Sequence, residues 1–302
     1  MARWGICATV RAPTDQVLAF AAHHLDLGAA RIWLHFDDPD DPALPALAAL
    51  PRVKAIACDA AYWQALCGRR PAAHQNRQSR NIQRVCDAAR LPWIAHLDHD
   101  EFLVADRPVA EILGTAAPGR PMVRAAPFEA LHDPSLPDDI QTARHFRAAL
   151  RGAAHAQQRQ ALYGPYADML PDGMLGHSAG KCFFRTGIPG LRPQIHGAFA
   201  GTERLPGGPF EPGLELLHIH AADPAQWLAQ LDFRLAQGAY RARPDLVAHL
   251  TAASATDRRR FYDAVQGASP DLLDRLSRLG LLRTHDLGLR AKVARLMEMR
   301  QA

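Results

Sequence analysis

The apolar positions of this chain change their period as it runs. Trp4–Val10 is a short apolar run of the length of a buried strand. Thr14 with Asp15 gives a helix N-cap signal, and Gly28 closes that helix just after Leu27. Arg31–Phe36 alternates, with Ile32, Leu34 and Phe36 on one face, which is the period of a strand. An acidic, proline-punctuated loop follows, Asp37-Asp38-Pro39-Asp40-Asp41-Pro42. A short helix is predicted over Ala43–Leu50 and a third strand over Val53–Cys58. From Pro71 to Ala89 the pattern is helical but very polar, with Ile82, Val85, Cys86 and Ala89 as its apolar stripe. Trp93–Leu97 reads as a fourth strand, and Asp98-His99-Asp100-Glu101 stands directly at its end.

Strands alternating with helices predict an α/β layer fold, a mainly parallel sheet flanked by helices. The middle of the chain is less regular. Met122–Phe128 and Lys181–Arg185 read as strands around a stretch rich in proline and glycine, and Leu214–His220 is a further apolar run. After Asp223-Pro224 the pattern is mostly helical, with breaks near Pro244, Ala268–Pro270 and Gly288. The expected organisation is a catalytic domain over 1–220 and a helical extension over 221–302 packed on it. Leu272, Leu273, Leu276 and Leu279 form a stripe in that extension that needs burial.

Composition narrows the classes. An apolar share of 48% and a charged share of 22% exclude bulk disorder. A net charge of +4 on 302 residues is too weak to imply nucleic acid. The 5 cysteines form no C-x-x-C, so neither a disulfide framework nor a thiolate zinc site is expected, and a reducing, cytoplasmic setting is. The first apolar run stops at Arg11, unlike a signal peptide, and no run approaches the length of a membrane-spanning helix.

The candidate chemistry centres on Trp93–Leu103. In open α/β sheets the ligand crevice lies at the carboxyl ends of the strands. Two carboxylates one residue apart, Asp98 and Asp100, repel each other there unless a positive group binds. A hard divalent cation with a diphosphate is one solution. The pair alone is weak evidence, because D-x-D also occurs at Asp38/Asp40; position and flanks supply the specificity. His218 and His220, two apart, share a face if that run is a strand, and His with carboxylate suits Mn²⁺. Lys181 is a lysine in a chain whose cations are nearly all arginine, so an ammonium is specifically useful there or the residue is plain surface.

Tryptophan, alternating apolar residues and then D-x-D-E-F-L resemble the metal-binding segment of GT-A-fold glycosyltransferases. More narrowly, they resemble the family-2-like group with a D-x-D-E-F signature. Leu18–Gly28 resembles that group's helix ending in H-H-x-x-x-G, and the Gln75–Asn81 helix its Gln/Asn-rich helix. Gly180-Lys181 resembles its G-K segment and His218-Ile219-His220 its H-x-H segment, all in the family's order over roughly residues 4–240. Arg11-Ala12-Pro13 departs from it, standing where the family has an N-E pair.

The resemblance implies a GT-A-like, Rossmann-like fold and a metal-dependent glycosyltransferase. The sugar would pass from a nucleotide-diphosphate donor, a UDP-sugar, to a hydroxyl of a glycan or lipid-linked acceptor, as in polysaccharide biosynthesis. It implies Mn²⁺ (or Mg²⁺) held by Asp98, Asp100, His218 and His220. Donor contacts fall to Asp37, Asp38, Arg77, Asp98 and Lys181. Lys181→Ala is then expected to impair turnover with little effect on melting. The general base stays open among Glu129, Asp168, Asp172, His177 and His196. The last helix, with Arg290, Lys292 and Arg295, could touch an anionic membrane at its inner face, although packing explains it as well. Two other classes fit the same residues: a metal-dependent hydrolase, and an inactive nucleotide- or carbohydrate-binding relative.

Overall fold

A computed structural model describes residues 2–301 apart from 137, 138, 206, 237 and 239. The chain forms two compact units. The first gathers Met1–Ala126, Ala179–Leu216 and Gly288–Ala302, and the second Pro127–Ser178 and Leu217–Leu287. Among the described residues, no helix is long and apolar enough to cross a membrane.

The strands in chain order are β1 (Trp4–Val10), β2 (Arg31–Phe36), β3 (Val53–Ala57), β4 (Trp93–His96), β5 (Glu101–Ala105), β6 (Met122–Ala130), β7 (His145–Ala148) and β8 (Lys181–Arg185). Then come β9 (Leu191–Pro193), β10 (Ala198–Ala200), β11 (Glu203–Leu205), β12 (Phe210–His218) and β13 (Leu282–Thr284). The helices are α1 (Thr14–Asp26), α2 (Leu44–Ala48), α3 (Ala60–Cys67), α4 (His74–Ala88), α5 (Val109–Gly114) and α6 (Ala156–Tyr163). The C-terminal ones are α7 (Pro224–Ala236), α8 (Pro244–Ala252), α9 (Ala255–Gln266), α10 (Pro270–Arg278) and α11 (Leu289–Gln301).

In the first unit the order β3-β2-β1-β4 is parallel, and β8 with the start of β6 continues it antiparallel. The result is an α/β fold with a mainly parallel, mixed sheet. β1 is apolar apart from Gly5 and Thr9 because both its faces are covered. Trp4, Ile6, Ala8 and Val10 join a core with α1, α2, α5 and α11, whereas Cys7 points to a second core under α4 and the small sheet β9–β11.

Several elements escape the hydrophobic period. The helix α3 has its own signals, Asp59 capping the Tyr62 amide at 2.7 Å and Gly68 closing it at φ 79°. Strands β5, β7 and β13 are not marked in the sequence, and β13, of 3 residues, is too short to show a period. At α1, Thr14 is the first helical residue, Pro13 precedes it, and no side chain caps the helix. Gly28 follows its end at φ 103°, as predicted.

The second unit has its own core, in which Trp227, Tyr240, Phe261 and Tyr262 are buried with leucines of α8 and α10. Ser254 and Ser269 cap α9 and α10. Its strands are the end of β6, β7 and β13, paired antiparallel. The division at residue 220 expected from the sequence therefore falls elsewhere. The loop-rich segment 127–178 shares a core with α7–α10, so those helices are not an appendage of a 1–220 domain. The helix α11 returns to the first unit, where Leu289 and Leu296 are buried. Its Lys292 donates to His23 Nδ1 at 3.0 Å, and Arg295 lies 3.5 Å from Asp26.

Candidate functional site

The D-x-D-E segment forms a tight turn between β4 and β5, closed by the Glu101 amide donating to the Asp98 carbonyl at 3.1 Å. The Asp98 amide in return donates to Glu101 Oε2 at 2.9 Å. Lys181, at the start of β8, is buried and lies 2.5 Å from Asp98 Oδ2 and 3.2 Å from Glu101 Oε2. The positive group demanded by these clustered carboxylates is thus, in part, a side chain of the protein. Burial alone would raise the Asp98 pKa and lower that of Lys181. Their mutual attraction overrides it, so Asp98 lies well below the usual carboxylate range and Lys181 above the usual lysine value. Asp100 is half-buried in the same turn.

The polar helix α4 organises the carboxyl ends of three strands. Arg77 grips Asp37, after β2, through Nε at 2.7 Å and Nη2 at 2.8 Å, and donates to the Pro71 and Ala72 carbonyls. Gln78 donates to Asp98 Oδ1 at 2.5 Å. Asn81, buried, donates to Thr9 Oγ1 of β1 at 2.8 Å and accepts from the Tyr62 hydroxyl at 2.7 Å. Consecutive residues of one helix therefore hold Asp37 and Asp98. The Arg77 guanidinium is consumed by the clamp; Asp37, also 3.0 Å from Arg70, is held below its ordinary pKa by these arginines against the opposing effect of its partial burial.

Beyond the ends of β1, β2 and β3 lies a cleft of about 510 Å³. Asp37, Asp38 and Asp59 line it together with Arg11, Arg69 and Arg70. Asp38 is exposed on its wall. Arg11 thus supplies positive charge to this cleft.

His218 and His220 belong to the second unit and the carboxylate turn to the first. The His218 ring lies 4.9 Å from His177 and 5.1 Å from His220. Arg234 donates to the His220 ring at 2.8 Å, and the Tyr240 hydroxyl is 3.1 Å from it. A guanidinium against the ring makes His220 an awkward cation ligand. Burial pushes the Tyr240 phenol up to about 12.

The base candidates differ sharply. Glu129 is fully buried, 2.5 Å from Arg147, and accepts from the Leu175 amide at 2.9 Å and from the Gly176 amide. A Cβ on Gly176 would stand 2.6 Å from Glu129 Oε2, so only glycine lets the backbone approach this carboxylate. Glu129 is an anchor of the second unit. Asp168 is exposed, and Asp172 accepts from Ser178 Oγ at 2.6 Å. His196, in the first unit, donates from Nδ1 to the Gly180 carbonyl at 2.9 Å, which leaves Nε2 as the ring's acceptor in the neutral form.

Three residues of this site have no mark in the reading of the sequence as donor or metal contacts: Glu101, Gln78 and Asn81. The signal was available for two of them, since Asn81 stands four positions from Arg77 and three from Gln78, spacings that share one face of a helix. No protein-family model matches the chain, and no curated protein matches it.

Proposed function

We propose that the chain is a metal-dependent glycosyltransferase of GT-A type, moving a sugar from a nucleotide-diphosphate donor, a UDP-sugar, to an acceptor hydroxyl of a glycan or lipid-linked molecule. One observation carries this reading. Adjacent residues of α4, Arg77 and Gln78, hold the acid of the arginine-lined cleft and the first aspartate of the D-x-D turn. A nucleoside diphosphate reaching from the cleft to the turn would then be served by one rigid element.

Each residue has a chemical part. Arg11, Arg69 and Arg70 neutralise phosphate oxygens, and Asp38 accepts from ribose or base. Lys181 is a positioning residue, keeping Asp98 ionised and the turn closed. The donor set fits a divalent cation only in part, because Asp98 already faces an ammonium at 2.5 Å. Asp100 is therefore the carboxylate assigned to Mn²⁺ (or Mg²⁺), with diphosphate oxygens and water in the other positions. The cation, when bound, supplies charge that stabilises the leaving diphosphate. His196, with its Nδ1 proton fixed on a carbonyl, is the base assigned to the acceptor hydroxyl.

Calorimetric titration of UDP tests the reading. Affinity that requires Mn²⁺ and is abolished in Asp100→Asn, with the melting temperature in the absence of ligand retained, is the expected result. Affinity indifferent to EDTA refutes the metal assignment, and no UDP binding under any condition refutes the donor assignment.

A further inference from the structure

The parallel strands have a second end, opposite the cleft described above, and it is built unlike an ordinary surface. Arg3 precedes β1, Arg31 opens β2, Arg52 precedes β3 and Arg90 comes shortly before β4. All four are exposed, and together they line a hollow of about 360 Å³ with Ala30, Trp33 and Leu91. Among the described residues, no carboxylate lines it. Among the described residues, none of the four arginines forms a salt bridge, although ion pairs occupy many other arginines of this chain. Four like charges gathered without a counter-charge repel one another, and an anion relieves that repulsion.

Two further features show that the hollow is constructed. Its floor includes Trp33, with the Arg31 guanidinium 5.8 Å from the ring centroid. The indole fits only because Gly5 of β1, paired with Arg31, has no side chain beside the ring. A Cβ on Gly5 would stand 2.8 Å from both the Trp33 ring and the Arg31 carbonyl, and 2.9 Å from Leu91. Arg52 holds a left-handed backbone at φ 62°, a conformation unfavourable for a residue with a Cβ. Glycine or asparagine would relieve that cost, yet an arginine stands there, its carbonyl accepting from the Ile32 amide at 2.9 Å. Strained backbone of this kind concentrates at ligand clamps.

The geometry points to a second, phosphate-binding site at the amino-terminal edge of the sheet, formed by Arg3, Arg31, Arg52 and Arg90 over Trp33. Guanidinium groups suit phosphate because each offers paired donors in a plane, and several can share one dianion. The ligand class is a phosphate or diphosphate group, either free in solution or carried on a lipid headgroup. This site is independent of the glycosyltransferase reading, which concerns the other end of the strands.

Inorganic pyrophosphate is the probe for the free anion. Vesicles of phosphatidylglycerol in phosphatidylcholine, against pure phosphatidylcholine, are the probe for the headgroup. Both are applied to a background carrying Arg11→Gln, Arg69→Gln and Arg70→Gln, which disarms the other cleft. Calorimetry should detect pyrophosphate binding that weakens with added salt. Arg31→Gln with Arg90→Gln should weaken it about a hundredfold, roughly tenfold for each lost ionic contact. Because these side chains are exposed and outside ion pairs, the melting temperature should stay within a few degrees. Vesicle binding without pyrophosphate binding, lost in the same variant, assigns the site to a headgroup. Failure of both probes to bind, or binding unchanged in the double variant and in a separate Arg3→Gln with Arg52→Gly variant, overturns the proposal.

Discussion

Lys181 shows what a single residue does in this protein. Its ammonium is wholly buried and serves two carboxylates, Asp98 and Glu101, at 2.5 and 3.2 Å. Removing one partner of such a cluster leaves charge uncompensated, which costs about 3–5 kcal/mol in a buried setting. Lys181→Ala should therefore lower stability measurably in urea titration, contrary to the stability-neutral outcome expected from sequence. Adding Asp98→Asn and Glu101→Gln to it should restore part of the loss, because the orphaned charges are then gone. A triple variant no more stable than Lys181→Ala would show that packing, not charge, is what Lys181 supplies.

At the scale of elements, the histidine pair of α1 is a fastener. His24 donates from Nδ1 to the Phe20 carbonyl and accepts at Nε2 from the Leu103 amide, while His23 donates from Nε2 to the Leu103 carbonyl. The helix α1 thus grips both polar groups of one residue of β5; His24 must be neutral to accept at Nε2, and His23 must be neutral to accept from the Lys292 ammonium at Nδ1. Burial is the main reason: it lowers His23 from 6.5 to about 4, with Lys292 adding to the effect, and depresses His24 as well. The unfolded chain takes up these protons near 6.5 and the folded chain only far below. Stability is thus complete above about pH 6.5 and falls as the pH drops toward 4. His23 alone accounts for about 3 kcal/mol of that loss at the lower limit. Chemical denaturation across this range should show the decline, and His23→Gln should flatten its slope. An unchanged slope in that variant would mean that other groups carry the acid sensitivity.

For the whole molecule, the important fact is that the first unit is assembled from three separated stretches of chain. Its last stretch, α11, contributes Leu296, only 2% exposed, to the core that also holds Phe20 and Leu25 of α1. Leu296→Ala should cost about 2–5 kcal/mol, as for other buried leucines. Ending the chain at residue 287 should cost more, since it also removes Leu289 and the Lys292 contact with His23. If truncation at 287 left the urea midpoint unchanged, α11 would be an appendage after all.

The sequence by itself determined the layered α/β class and the first four strands. A strand covered on both faces must be apolar throughout, and a helix lying on a sheet must show its 3.6-residue stripe; both signals are local and survive in one dimension. It also marked Asp98 and Asp100, since a strand's carboxyl end is a place known from the pattern alone. What only tertiary structure decided were the partners. Lys181 is 83 residues from Asp98 and Arg77 is 40 from Asp37, so no window of sequence contains either ion pair. The same holds for the division into units. A core is a set of contacts among residues that chain order keeps apart, and the burial of segment 127–178 with α7–α10 leaves no mark in the period of either segment. The four arginines at the amino-terminal ends of the strands are the clearest case, for each reads as an ordinary polar residue beside a strand until the parallel order brings the strand ends together.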